Sequence, residues 1–244
     1  MIPDWLHIVA WASLIVGFAC AAYIALDIRR HPQHMTIMNY VWPICALFGH
    51  VLIVAFYRRY GRLAAHEIAH PAMEKKETPP HMKQTPFPLK VAKGALHCGS
   101  GCTLGDIIAE SLALFLPVIA IWFGWQTLFD EKIFAVWVFD YSLAFILGIA
   151  FQYFTIVPMR GLSFGKGLVQ ATKADFLSLT AWQFGMYGFM AFAHFYIFAV
   201  VLNHKLSVAS AEFWFMMQIA MVFGFLTSYP VNWWLIKRGI KEAM

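Results

Sequence analysis

The run His97-Cys98-Gly99-Ser100-Gly101-Cys102-Thr103-Leu104-Gly105-Asp106, with Glu110 one helical turn further on, gathers two thiols, an imidazole and two carboxylates within fourteen residues. Thiolates and imidazoles select soft and borderline metal ions, copper and zinc above all. Gly99, Gly101 and Gly105 predict a tight loop here. Thr103 is then the N-cap of the following helix, with Asp106 three residues on in a near capping box. That arrangement folds the thiols against the positive end of a helix and favours the metal-binding thiolate. The expected ligands are Cys98, Cys102 and His97; Asp106 and Glu110, four apart on one helix face, orient them or pass protons. A plainer reading stays open. Asp106 caps the helix, Glu110 pairs with a base such as Lys173, and the thiols are idle in a reducing compartment where a disulfide is not the resting state.

Other chemistry-bearing residues are scattered through apolar sequence. Gln152, Gln183, Asp140 and His194 form an expected polar path across the membrane, with Met186 as a thioether ligand for Cu(I) or as core filler. Glu110, Gln152, Gln183 and Asn232 are expected in the cytoplasmic half, and Asp140 and His194 in the outer half. His66-Glu67-Ile68-Ala69-His70 matches H-E-x-x-H, which on a helix places two His on one face for zinc, with Glu as general base. Pro71 follows at once and no third ligand is evident, although Glu74, His81 and His97 are near in sequence. This makes an accessory metal motif the better expectation than a protease. His7, His50 and His194 lie in or near apolar segments and could hold haem b as a pair, although no C-x-x-C-H is present. Cys20 and Cys45 sit in apolar runs and are expected to pack as small hydrophobes.

The elements that must position these residues are membrane helices. Hydrophobic types make up 61% of the 244 residues and charged types only 13%, against about half and a quarter in soluble domains. An all-α bundle of six transmembrane helices is expected, over 5–26, 38–57, 104–127, 133–157, 177–202 and 211–236. The first run has no basic flank or cleavage site, so it is expected to remain as a helix. The charge of +5 flanks apolar segments, so it reflects topology and not nucleic-acid binding. With both termini cytoplasmic, fourteen Lys and Arg fall inside and four fall outside: Arg29, Arg30, Lys132 and Lys205. The expected organisation is a two-helix unit over 1–57, a basic Pro- and His-containing cytoplasmic linker over 58–90, and a four-helix unit over 91–244. Within the linker, 58–70 is expected as a short helix ending before Pro71, and the rest as extended chain.

The pattern His97-Cys98-x-x-Gly101-Cys102-x-x-Gly105-Asp106-x-x-x-Glu110 resembles domain-of-unknown-function family 4396, bacterial integral membrane proteins. So do Gln152-Tyr153-Phe154 through Pro158-Met159, Lys173-Ala174-Asp175 and Gln183-Phe184-Gly185-Met186. The resemblance covers about 95–236 and implies an inner-membrane protein, with an association with metal handling but no catalytic residues to transfer. The functional expectation is binding of copper or zinc at the cytoplasmic face, with transport as its extension and without enzymatic activity; no Walker A pattern is present. The alternatives are an accessory subunit of a larger membrane complex or a haem b subunit. The expected partners are the lipid bilayer and a membrane protein or a second copy of the chain.

Overall fold

The computed structural model describes residues 2–242; Met1, Ala243 and Met244, the outermost residues of the expected terminal units, lie outside the described residues. Its architecture is entirely helical, in the order α1 (Asp4–Arg30), α2 (Met38–Phe56), α3 (His66–Glu74), α4 (Pro80–Gln84), α5 (Phe87–Phe115), α6 (Val118–Trp122), α7 (Lys132–Arg160), α8 (Phe164–Ala191) and α9 (Ala211–Lys237). α8 runs on as a π-helix over Phe192–Val201, and α2 as one over Tyr57–Gly61.

Five helical stretches are long and apolar enough to cross a membrane: Asp4–Arg30, Met38–Ala64, Lys132–Pro158, Phe164–Val201 and Ala211–Lys237. The burial pattern agrees with a lipid environment. Trp5, Ile8, Ile15 and Phe18 on α1 and Phe184 and Val200 further on are exposed, while His97, Asp106, Glu110, Asp140, Gln152 and Asp175 are buried. A soluble fold places these residue classes the other way round.

The second of the five stretches does not cross. Trp42 and Phe56 are fourteen residues apart, about 21 Å along a straight helix, yet their ring centroids lie 5.4 Å apart; those of Trp42 and Tyr57 lie 5.6 Å apart. The chain reverses at His50, whose φ of 46° and ψ of −134° break the helix. Segments 38–49 and 51–61 therefore form a re-entrant hairpin whose two feet share one end of the bundle. The tip is held inside. Gln218 of α9 donates from Nε2 to the Leu47 carbonyl at 2.6 Å and accepts from Ser13 of α1 at 2.7 Å.

The remaining long helix is α5. It is 29 residues long and carries too many polar residues to stand out as a span, and it is walled in by α7, α8, α9 and α2. It begins at Phe87, seventeen residues before the expected start at 104, because the polar Cys-Gly segment is helical. The expected six spans thus become five long helices through the bundle, α1, α5, α7, α8 and α9, plus the hairpin.

An odd number of passages puts the chain ends apart. His7 on α1 contacts Glu212 in the first turn of α9 at 2.6 Å. Lys241, beyond the other end of α9, reaches the Gly94 carbonyl near the start of α5 at 3.4 Å. The first and last described residues thus lie at opposite ends of the bundle, separated by the length of α9, about 40 Å, where the expectation put both termini on one side. The hairpin also accounts for the two arginines that opposed the charge count. Arg29 and Arg30 end α1 on the side where both hairpin feet and the linker sit. Sixteen of the eighteen Lys and Arg then lie toward the linker end, the exceptions being Lys132 and Lys205.

The linker is folded rather than extended. α3 continues through Pro71 to Glu74, which the expected stop before Pro71 did not allow, and α4 follows. Pro71 is the sixth residue of α3, so the helix forgoes the one hydrogen bond that an N–H there would make to the Glu67 carbonyl. The His34 N–H donates to the Ala64 carbonyl at 2.8 Å and the His66 N–H to the Pro32 carbonyl at 2.7 Å, so the linker is stitched to the loop after α1.

Candidate functional site

The His-Cys segment is not a loop. Cys98 is the twelfth residue of α5 and Cys102 the sixteenth, both fully buried. Thr103 is no N-cap: its hydroxyl bonds back to the Gly99 carbonyl at 2.8 Å within the helix and also lies 3.4 Å from the Met221 sulfur. The glycines serve close packing. A Cβ on Gly101 would stand 2.8 Å from the Gly148 Cα of α7, and one on Gly105 2.7 Å from the Ala144 Cα. Gly101-x-x-x-Gly105 thus lies backbone to backbone against Ala144-x-x-x-Gly148, the small-residue contact by which membrane helices approach. Gly99 makes room for the Trp182 ring, which would meet a Cβ at 2.2 Å.

This close approach brings buried polar side chains into a file along α5. Cys98, Cys102, Asp106 and Glu110 recur every fourth residue and so share one stripe. At the linker end the Lys241 ammonium enters the bundle, 2.5 Å from Cys98 Sγ and 3.0 Å from Asp175 Oδ1. The Cys98 thiol also donates to that oxygen. The Lys241 and Asp175 side chains are completely buried. Burial works against the Lys241 charge; the Asp175 carboxylate and the Cys98 sulfur outweigh it and hold the pKa above the ordinary lysine value. Beside them, His97 Nε2 pairs with the Thr155 hydroxyl at 2.9 Å, and Asn232 donates to Ser178 at 2.6 Å.

Further along the bundle, the carboxyl groups of Asp106 of α5 and Asp140 of α7 are neighbours, both fully buried. Gln183 donates to Asp106 Oδ1 at 3.1 Å and the Tyr187 hydroxyl to Asp140 Oδ2 at 3.2 Å. Glu110 stands one turn beyond, on the wall of a cavity of about 220 Å³ that Lys132 and His194 also line. That cavity is at the end away from the linker.

The expected depths change accordingly. Glu110 belongs near the far end, because α5 starts seventeen residues earlier than expected; Asp140 lies in the half of α7 away from the linker, and Gln183 donates to Asp106. Gln152 is buried in the linker half, with its Oε1 unpartnered. Met186 is fully buried. The five residues expected as metal ligands do not gather around one point: His97 turns to α7, and Glu110 is three turns from Cys98. Among the described residues, the one group of three or more His, Cys, Asp or Glu side chains whose ligand atoms all lie within 4.8 Å of one another is His34, His66 and His70. Within the H-E-x-x-H motif, Glu67 is turned to His31, 2.6 Å away. The three His considered for haem are apart: His7 is bonded to Glu212, His50 forms the hairpin tip, and His194 lines the far cavity.

Sequence reasoning missed Asp175, Lys241, Tyr187 and Thr155 as members of the file, and His34 as a partner of His66 and His70. Asp175 had a signal in the Lys173-Ala174-Asp175 stretch. Lys241 had none beyond being one of several tail charges.

No curated protein and no solved structure matches the chain. One family model does match, Domain of unknown function (DUF4396), over residues 89–241. The matched stretch holds the whole file from His97 to Lys241 and excludes α1, the hairpin, α3 and α4. A helical membrane-type bundle packed around a polar α5, with the matched segment covering well over half of the chain, identifies this protein as a member of the DUF4396 family.

Proposed function

We propose that this is a multi-pass protein of the bacterial inner membrane, with its linker end in the cytoplasm, that passes protons along the α5 file. The charge distribution supports the orientation: sixteen of eighteen basic residues lie toward the linker end. The observation that carries the function is the Asp106–Asp140 carboxyl pair. Both carboxyl groups are fully buried inside the bundle and are bracketed by Gln183 and Tyr187. Buried ionisable groups are costly in a membrane interior and mark ion and proton routes there.

Each element has a place in such a route. Glu110 takes a proton from the far cavity and is one turn from Asp106. The carboxyl pair accepts it and releases another toward Cys102, Cys98 and Asp175. Unpartnered acceptors along the file, at Asp106 Oδ2, Asp140 Oδ1, Asp175 Oδ2, Gln152 Oε1 and Gln183 Oε1, suit water or a passing cation. Lys241 closes the cytoplasmic end with a cation supplied by the chain itself. Purified protein in liposomes loaded with a pH-sensitive dye tests this. An imposed potential drives proton uptake in the wild type, and Asp106→Asn lowers it at least tenfold. Wild-type vesicles no faster than empty ones would overturn the proposal.

A second reading keeps the metal expectation. Two buried thiols on adjacent turns beside Asp175 are donors suited to Cu(I) or another soft ion as cargo. Here Lys241 occupies the place the ion would take. Cys98→Ser/Cys102→Ser abolishes metal uptake under this reading. Equal, substoichiometric metal in wild type and double variant rejects it.

A further inference from the structure

We infer that His34, His66 and His70 form a binding site for a divalent transition metal ion of the zinc class, which clamps the loop before the re-entrant hairpin to helix α3. The site is separate from the α5 file and lies outside the family-matched segment, so it stands or falls independently of proton movement.

The argument starts from the backbone. The two hydrogen bonds that join residues 32–34 to residues 64–66 fix the His34 Cα beside the first turn of α3. His66 and His70 are four residues apart on α3, so their imidazoles leave the helix on one face. The three rings then stack: His66 and His70 have centroids 4.5 Å apart, His34 and His66 5.6 Å, and His34 and His70 6.2 Å, with interplanar angles of 18°, 11° and 24°. One nitrogen from each ring lies within 4.8 Å of the other two. Zinc with nitrogen ligands at about 2.1 Å needs those nitrogens about 3.4 Å apart. The remaining contraction, at most about 1.4 Å, is within the reach of side-chain rotation on a fixed backbone.

His34 Nδ1 is buried and has no hydrogen-bond partner, an expense that a metal bond would remove. Glu74 lies 3.3 Å from His70 Nε2, the kind of carboxylate contact that fixes the orientation of a ligating imidazole. Three imidazoles from the protein leave room for water as a further ligand, and such a set suits zinc, copper(II), nickel or cobalt. Glu67 faces His31 instead of the trio, so the site holds metal without the general base a hydrolase of the H-E-x-x-H kind needs. A bound ion would tie α3 to the loop entering α2 and would hold the hairpin foot in place.

The experiment uses the full chain without an affinity tag, in detergent at pH 7.5. Equilibrium dialysis against Zn²⁺ is expected to give one ion per chain. His34→Gln and His70→Gln should each weaken binding at least tenfold. Glu67→Gln and Cys98→Ser/Cys102→Ser should change it less than twofold. The wild type gives a second reading that does not depend on variants folding: bound Co²⁺ should show d–d absorption and no sulfur-to-metal charge transfer. No saturable uptake, uptake that survives both His variants, or a sulfur charge-transfer band overturns the inference.

Discussion

Lys241, four residues beyond the end of α9, buries its ammonium 3.0 Å from the carboxylate of Asp175 on α8. The pair joins the tail of the chain to the interior of the bundle, with Cys98 as a third member. Neither side chain touches solvent, so neither charge has an alternative partner in water.

Removing one member alone is expected to be severe. Lys241→Met leaves the Asp175 charge buried and should cost about 3–5 kcal/mol. Lys241→Met combined with Asp175→Asn removes both charges and should recover more than half of that loss. Thermal melts in detergent measure both. A single variant as stable as wild type, or a double variant no better than the single one, contradicts the buried pair.

The α5–α7 contact makes a second prediction. Gly105→Val drives a side chain into the Ala144 backbone 2.7 Å away and should destabilise by about 3 kcal/mol, the upper range for overpacking. Gly188, on α8, meets nothing within 4 Å, and Gly188→Ala should be neutral or stabilise by about 0.5–1 kcal/mol through backbone entropy. Equal melting temperatures for the two variants would exclude the backbone-to-backbone packing.

Topology can be read by labelling. Single cysteines replacing Asp4, Arg30 and Lys76, each exposed, are treated with a membrane-impermeant maleimide in oriented vesicles, in a background with the native cysteines replaced by serine. Arg30→Cys and Lys76→Cys should label from one side and Asp4→Cys from the other. If Arg30→Cys and Lys76→Cys label from opposite sides, 38–61 crosses and the hairpin is wrong.

The linker end should respond to acid. Burial, and next the charge of Lys93 with smaller effects from His34 and Lys90, pushes the His81 pKa from 6.5 to about 4. The folded form therefore holds fewer protons than the unfolded one between these values. Stability rises with pH from about 4 to about 6.5 and levels off above. Melting temperature should fall as pH drops from 7 to 4, and His81→Gln should make that fall shallower. Parallel curves would show that His81 does not contribute.

Parts of this arrangement are legible without coordinates. α1, α7 and α9 follow from uninterrupted apolar runs flanked by aromatic and basic residues, and their expected bounds lie within a few residues of those found. The second half of α8 and its continuation to Val201 are equally plain, while its polar start at Phe164 hides in what looks like a loop. α5 was displaced for a related reason. Glycine and polar residues spell a loop wherever water is the solvent, but Gly101 and Gly105 here face another backbone, and Cys98, Asp106 and Glu110 find partners on α7, α8 and the tail. Local propensity carries no information about those partners.

The sequence by itself determined that this is a membrane protein, which segments are apolar, and that residues 97–110 gather thiols, an imidazole and carboxylates. Hydrophobic composition and charge asymmetry are sums over residues and need no geometry. Only the tertiary structure decided that the chain turns back at His50, that Asp106 meets Asp140, that Lys241 reaches Cys98, and that His34 joins His66 and His70. An apolar run of a given length satisfies a crossing helix and a re-entrant hairpin equally well. Pairings across 32 to 143 residues of chain depend on how closely helices pack, and that distance is set by small residues on both faces at once.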